Sequence, residues 1–194
     1  MASPVGHALL GYAIYRVTGS AKRQDRRNLL GLCVLLAIAP DFDFLPGILV
    51  GQPALYHQGL SHSLGFAVVV SFGVAVAYSL QWGSLWADWG RFFLAYASHL
   101  VMDLFGPDAR PPLGIPLFWP LSDVPYLAPL QIFWGVRHAK STSTATGEWI
   151  SALLSLHNLA AIGIEILVGL SVVGFLHYMQ SVGASRPKPQ THGP

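Results

Sequence analysis

The sequence predicts an all-α fold, an integral membrane bundle of about four or five membrane helices with a long loop rich in proline and aromatic residues. Of the 194 residues, 53% are hydrophobic and only 10% are charged, whereas soluble domains usually carry about 25% charged residues. No alternation of apolar and polar residues is long enough to indicate a sheet. These observations are typical of a membrane protein rather than a soluble enzyme.

The length suits a single domain, and we assign residues 1–180 to one membrane-embedded unit. Residues 181–194 are rich in Pro, Gly and Ser, which predicts a disordered C-terminal tail. The net charge of +2 and the lack of a basic run interleaved with aromatic residues argue against a nucleic-acid partner. Cys33 is the only cysteine, so an intramolecular disulfide is excluded and a buried core role is expected.

The first two predicted helices cover residues 5–17 and 29–50. Ser3 can cap the first helix, with Pro4 at its first position. The second apolar run is interrupted at Pro40-Asp41-Phe42-Asp43, because proline removes a backbone donor and breaks or kinks a helix. Two carboxylates at membrane depth are costly and indicate a functional site.

The remaining predicted helices cover residues 64–80, 91–105 and 149–179. Residues 64–80 contain no charge and are the clearest span. The tryptophan-rich link at 81–88 is typical of an interfacial belt. Residues 106–140 form a long irregular segment of the kind that often serves as a functional loop or lid.

The positive residues indicate an orientation. If the chain starts outside and crosses at the five segments, eight of the eleven Lys and Arg residues lie inside, and only Arg110, Arg137 and Lys140 lie outside. This arrangement satisfies the positive-inside rule. The same topology puts the candidate site residues toward the outer, periplasmic side.

The central predicted helix carries a histidine and an aspartate, His99 and Asp103, on one face, because positions i and i+4 lie one above the other. Burying both without partners would cost on the order of several kcal/mol. Other stretches offer partners, and we interpret all of them as converging on one metal centre. The partners are His7, Asp41, Asp43, His57 and His62.

Imidazole nitrogen and carboxylate oxygen suit a borderline metal such as zinc. We predict one or two zinc ions, with manganese as the alternative, and two ions would lie about 3.5–4 Å apart with Asp103 as the bridge. Asp43 and His57 would be further ligands, or the general base and its orienting partner. The predicted metal ligands are His7, Asp41, His62, His99 and Asp103.

Each of these residues also has a simpler interpretation. His99 and Asp103 could form a hydrogen-bonded core pair, and His7 could face solvent. Asp41 and Asp43 could cap a helix after Pro40. For His157 and Glu165, a polar pair unrelated to the metal is the favoured interpretation.

Several motifs follow one another along the chain: Gly6-His7, Pro40-Asp41-Phe42-Asp43, residues 57–63, residues 99–103 and residues 114–122. Together they resemble the YdjM-like inner-membrane proteins of bacteria and archaea. The resemblance implies a metal-dependent hydrolase in the inner membrane. Gln58 departs from the family pattern, which often has Arg there.

That family is in turn similar to zinc-dependent phospholipase C. The similarity implies an all-helical fold and a zinc cluster, but this chain has no clear match for the remaining His/Glu ligands of that enzyme. The implied cluster would map onto His7, Asp41 or Asp43, His62, His99 and Asp103.

The predicted function is a membrane-bound, zinc-type hydrolase, with a phospholipase C-like phosphoesterase acting on a membrane lipid or lipid-linked substrate as the best candidate. The apolar walls and Phe118-Trp119 would admit an acyl chain. A scaffold that keeps the ligands only structurally is a third interpretation, and the oligomeric state is left open. The main alternative is a non-enzymatic protein that passes cations or protons through Asp41, Asp43, His99, His157 and Glu165.

Overall fold

The structure of the protein is a computed structural model that describes residues 2–19, 25–108, 112–137 and 146–184. Within these ranges the regular structure is helical, and the β-type pairing is limited to an isolated bridge between Ile115 and Tyr126. The predicted all-α class is therefore confirmed.

Seven α-helices are present in the described ranges, together with two short 3-10 helices, Ala39–Asp43 and Leu60–His62. Ser3 caps the first helix as predicted, since its side-chain oxygen accepts a hydrogen bond from Gly6 N at 3.1 Å. The α-helices are α1 (Pro4–Thr18), α2 (Arg26–Ile38), α3 (Phe44–Leu49), α4 (Leu64–Ser79), α5 (Leu85–Leu104), α6 (Thr146–Leu153) and α7 (Leu156–Ala184).

Two helix boundaries differ from the predictions. Pro40 tightens the chain into a 3-10 helix between α2 and α3, so the interruption changes the helix type without ending the helical path. Helix α5 begins at Leu85 rather than at Arg91, so the second half of the predicted tryptophan-rich link is its first turn. The tryptophans in that link are compatible with helix, and their interfacial character does not define a helix start.

The predicted single final helix is two helices, α6 and α7. The Asn158 side chain donates to the carbonyl oxygens of Ala152 and Leu153 at 3.0 and 3.1 Å, which satisfies the end of α6. The Ser155 hydroxyl accepts from Asn158 N at 3.3 Å and starts α7. Helix α7 continues through Ala184, into the first residues assigned to the tail, and residues 185–194 lie outside the described ranges.

Two helical segments of the described chain are long and apolar enough to cross a membrane: Arg26–Leu49 and Leu156–Val182. They correspond to the second and fifth predicted crossings. Leu64–Ser79 is a shorter apolar helix. Many large apolar side chains of α7 are exposed, which is typical of a helix that faces lipid or a partner.

Helix α5 lies at the centre of the bundle, in contact with α1, α2 and α4, while α7 packs on α1. Phe92 and Leu100 of α5 pack with Leu29 and Cys33 of α2 in one apolar core. Cys33 is buried there, as predicted. This packing fixes the last two turns of α5, which carry His99 and Asp103.

The proline-rich segment after α5 docks on the start of α4. Leu64 N and Gly65 N donate to the carbonyl oxygens of Leu117 and Trp119 at 2.9 and 3.1 Å. The Ser63 hydroxyl accepts from Phe66 N at 3.2 Å. These bonds satisfy the first amides of α4 and hold the segment close to His62.

Candidate metal centre

The predicted pair on α5 is close and buried. His99 Nε2 lies 3.3 Å from Asp103 Oδ2, and both side chains are fully enclosed. Helical periodicity therefore places them on one face, as predicted. His99 Nδ1 donates to the carbonyl oxygen of Ala37 at 2.8 Å, so its Nε2 is the nitrogen left to face Asp103.

The 3-10 helix Ala39–Asp43 brings Asp41 to the same point. Asp41 Oδ1 lies 3.5 Å from His99 Nε2 and 3.7 Å from His62 Nε2. Neither Asp41 nor Asp43 makes a side-chain capping bond at the neighbouring helix starts. The capping interpretation is therefore not what the structure shows for either carboxylate.

The second 3-10 helix, Leu60–His62, supplies the fourth side chain. His62 Nε2 lies 3.4 Å from Asp103 Oδ2 and 3.2 Å from His99 Nε2. Tyr96 on α5 donates its hydroxyl to Ser61 O at 2.7 Å and anchors this helix. One ligand atom from each of the four residues lies within 4.8 Å of the others; the group is Asp41, His62, His99 and Asp103.

The cluster has more acceptors than donors. Asp41 Oδ1, Asp41 Oδ2 and Asp103 Oδ2 are buried and have no hydrogen-bond partner in the described chain. Such groups are costly when buried unless they are paired or coordinate a cation. Two carboxylates and two imidazole nitrogens are also a common donor set for zinc. The residues therefore fit a divalent metal ion.

His7 flanks this group. Its ring stacks on His99, with centroids 3.7 Å apart and planes tilted by 15°. Its Nε2 lies 3.6 Å from Asp103 Oδ1, and the side chain is fully buried, so it does not face solvent. Both ring nitrogens are buried without a hydrogen-bond partner in the described residues, which leaves His7 available as a further ligand.

Asp43 and His57 form a second layer. Asp43 Oδ1 accepts from His57 Nδ1 at 2.9 Å, and Asp43 Oδ2 accepts from Ser61 Oγ at 2.9 Å. His62 Nδ1 lies 3.1 Å from Asp43 Oδ2 and is hydrogen-bonded to Ser61 Oγ at 3.1 Å. With His62, Asp43 and His57 make a second group able to hold a metal ion. Because both Asp43 oxygens already accept hydrogen bonds, the geometry suits the orienting role best.

The turn between His57 and His62 places a non-glycine residue in the left-handed conformation. Gln58, not Gly59, adopts the left-handed conformation, with φ of 62°. Its backbone N–H thereby donates to Asp43 Oδ2 at 3.0 Å, a bond that compensates for the unfavourable φ. Gln58, which departs from the family pattern, thus contacts Asp43 through its backbone.

Burial and charge act differently on the two histidines of this turn. Burial lowers the pKa of His57, and the hydrogen bond to Asp43 only partly offsets this. Burial also disfavours charge on His62, but contacts with Asp103, Asp41 and Asp43 raise its pKa well above the usual value. The carboxylates around His62 would therefore also stabilise a bound cation.

The cluster is nearest to the surface on one side. His7, His62 and His99 are fully buried, whereas Asp41 and His57 are each 8% exposed. Phe42 and Leu45 beside them are 48% and 56% exposed. Any molecule that reaches the cluster would therefore approach along the junction of α2 and α3.

His157 and Glu165 do not form the expected pair. His157 Nε2 lies 3.2 Å from Gly135 O and its ring stacks on Trp134. Glu165 instead accepts hydrogen bonds from Ser3 at the start of α1. Sequence reasoning missed this contact, because nothing local in the sequence links residues so far apart.

Fold and site define a helical membrane protein whose buried His/Asp cluster is able to hold a metal ion. The model of one family, described as YdjM inner membrane protein, matches residues 1–183. The chain therefore belongs to the YdjM inner membrane protein family, and the resemblance and the inner-membrane setting are confirmed. Comparison with curated proteins and with solved structures gave no match, and the similarity to phospholipase C stays a prediction.

Proposed function

We propose that the protein is a membrane-bound, metal-dependent hydrolase that cleaves a phosphoester of a membrane lipid or lipid-linked molecule. The supporting observation is the buried group of Asp41, His62, His99 and Asp103, in which one ligand atom of each residue lies within 4.8 Å of the others and carboxylate oxygens of both aspartates are unpaired. These residues would hold one zinc ion, with manganese as the alternative and His7 as a further ligand. A bound ion there would supply a Lewis acid and lower the pKa of water.

The protein's own groups would prepare the site for this chemistry. Asp43 fixes the rings of His57 and His62 through their Nδ1 atoms. We assign His57 the role of general base, with Asp43, which accepts a hydrogen bond from His57 Nδ1 at 2.9 Å, as its orienting partner. The Asp41 and Asp103 carboxylates balance the charge of the ion.

The surroundings suit a lipid substrate better than a freely soluble one. Phe42 and Leu45 lie exposed beside the cluster, and Phe118, also exposed, belongs to the segment that docks near His62. Apolar walls of this kind accommodate acyl chains. We further propose that α1, α4 and α5 complete the membrane crossings and that the cluster faces the periplasmic side.

The test is release of a phosphorylated head group from a panel of phospholipids and lipid pyrophosphates by detergent-purified protein supplied with zinc or manganese. Asp103→Asn is expected to abolish turnover while the protein still inserts. Asp88→Asn is the matched control, because Asp88 is a buried carboxylate on the same helix that pairs with Arg91. Full activity of Asp103→Asn would overturn the proposal.

A further inference from the structure

Glu165 is a buried carboxylate in the middle of the long, apolar helix α7, with only 3% of its surface exposed. Intramembrane acidic residues are costly and mark functional positions by default. Neither the metal centre nor the proposed chemistry described above uses this side chain. Its contacts therefore require a separate explanation.

The partners of Glu165 belong to the segment that starts α1. Ser3 N donates to both carboxylate oxygens, at 3.1 and 2.9 Å, and the Ser3 hydroxyl donates to Oε2. The negative charge also lies at the N-terminal end of α1, where the helix dipole stabilises it. Glu165 thus fixes the backbone position of Ser3.

The preceding residue contacts the metal centre directly. Ala2 N donates to Asp103 Oδ1 at 3.2 Å, which leaves Asp103 Oδ2 as the oxygen that faces His62 and His99. Ala2 and Ser3 are both buried. Two consecutive amides therefore connect the carboxylate on α7 with a predicted metal ligand on α5.

The first turn of α1 is shaped to allow this connection. A Cβ atom at Gly6 would lie 2.6 Å from Glu165 Oε2 and 3.0 Å from Met102 Cε. A side chain at this position would force the Glu165 carboxylate to shift, so glycine allows the observed approach of Glu165 to α1 and gives a physical reason for the Gly6-His7 motif. The next residue, His7, stacks on His99.

We infer that Glu165 is a positioning residue of the metal centre, acting through Ala2 and Ser3 on Asp103 and through α1 on His7. It does not contact the predicted ligands itself. By holding the start of α1, it fixes which Asp103 oxygen faces the ion and keeps the His7 ring against His99. This inference rests on the proposed metal centre.

The experiment is cobalt(II) titration of detergent-purified, full-length protein, followed by visible absorption, with the melting temperature measured in parallel. Glu165→Ala is expected to weaken cobalt binding about tenfold, as loss of an outer-layer partner typically does, and to shift the absorption bands. Glu165→Gln keeps an acceptor for Ser3 N and is expected to restore most of the affinity. Gly6→Ala retains the Glu165 carboxylate but displaces it, and is expected to weaken cobalt binding too.

Asn158→Ala is the matched control. Asn158 is another fully buried polar residue on α7 that bonds a distant backbone, that of Arg137. Its loss should lower the melting temperature without changing cobalt affinity. An equal loss of affinity in Asn158→Ala would overturn the inference, because the effect would then be general destabilisation.

Two further outcomes separate this inference from the proposed function. Wild-type affinity and spectrum in both Glu165→Ala and Gly6→Ala would overturn the positioning role while leaving the metal centre intact. A wild-type protein that takes up no cobalt would overturn the metal centre, and the positioning role with it. If Glu165→Ala does not fold, the cobalt affinities of Gly6→Ala and Glu165→Gln test the positioning role instead.

Discussion

Nδ1 of His62 lies 3.1 Å from Asp43 Oδ2, and this contact turns the opposite nitrogen of that ring toward Asp103 and His99. A carboxylate only accepts, so the proton stays on Nδ1 and Nε2 keeps its lone pair. The same logic applies at His99, where a backbone carbonyl replaces the carboxylate. The protein backbone and Asp43 thus set the imidazole tautomers before any ion arrives.

Removing this support should weaken metal binding without removing a predicted ligand of the first group. Asp43→Ala is expected to lower zinc affinity about 10–100-fold, because His62 and His57 lose their orienting acceptor. Competition with a chromophoric chelator measures the change. Asp88→Ala is the control, because it removes a buried carboxylate of α5 that is far from His62 in sequence, and it should keep wild-type zinc affinity. Unchanged zinc affinity in Asp43→Ala would contradict the orienting role of Asp43.

The four converging residues should determine metal content. We expect one or two equivalents of zinc or manganese in detergent-purified wild type, measured by mass spectrometry. His99→Ala and Asp103→Ala should lose the metal, because each removes a donor from the buried group. Retention of metal in both variants would show that the ion binds elsewhere.

Metal should also stabilise the fold. The four residues come from three separate segments of the chain, so the complete site exists only in the folded state. Zinc at 100 times its dissociation constant adds about 2.7 kcal/mol to the free energy of unfolding. Thermal melts with zinc and with chelator should therefore differ for wild type and coincide for Asp103→Ala.

The proline-rich segment after α5, which packs on the start of α4, offers a test of packing next to His62. A Cβ at Gly65 would collide with the carbonyl oxygen of Trp119 and lie 2.7 Å from Pro120 Cδ. Gly65→Ala should therefore destabilise the protein by about 1–3 kcal/mol, the usual cost of overpacking. Gly73→Ala on the same helix is the control, because a Cβ at Gly73 would have no atom within 4 Å, and it should not destabilise the protein. Equal melting temperatures for the two variants would contradict the packing of the proline-rich segment on α4.

The orientation can be tested with single cysteines. Leu121 in the docked segment and Leu80 at the end of α4 are 91% and 84% exposed, while Cys33 is fully buried and should give no background. With the site toward the periplasm, a membrane-impermeant maleimide should label Leu121→Cys in intact cells and Leu80→Cys only after lysis. The reverse pattern would invert the proposed topology.

The parts of the site that the sequence predicted are those set by local geometry. Helical periodicity alone places His99 beside Asp103, and Pro40 marks the tightened turn that carries Asp41. The left-handed conformation of Gln58 was not predicted, since the bond from Gln58 N to Asp43 that compensates for the strain is a tertiary contact.

The structure also differs from the sequence-based expectation at three other places. The start of α5 at Leu85 lies in a tryptophan-rich stretch that suits a helix and an interface equally well. The break between α6 and α7 depends on Ser155 and Asn158, two of the few polar residues in a largely apolar run. The partner of Glu165 is at the opposite end of the chain, and no local pattern encodes such a pair.

The contact between Glu165 and Ser3 has a consequence for the order of events during synthesis. The two residues are 162 positions apart, and ribosomes add about 5–20 residues per second. On the order of 10–30 s therefore separates the emergence of α1 from that of its partner on α7. Throughout that interval Ser3 lacks its carboxylate partner, so the positioning role inferred for Glu165 predicts that the centre reaches its final geometry only when the last helix has been made.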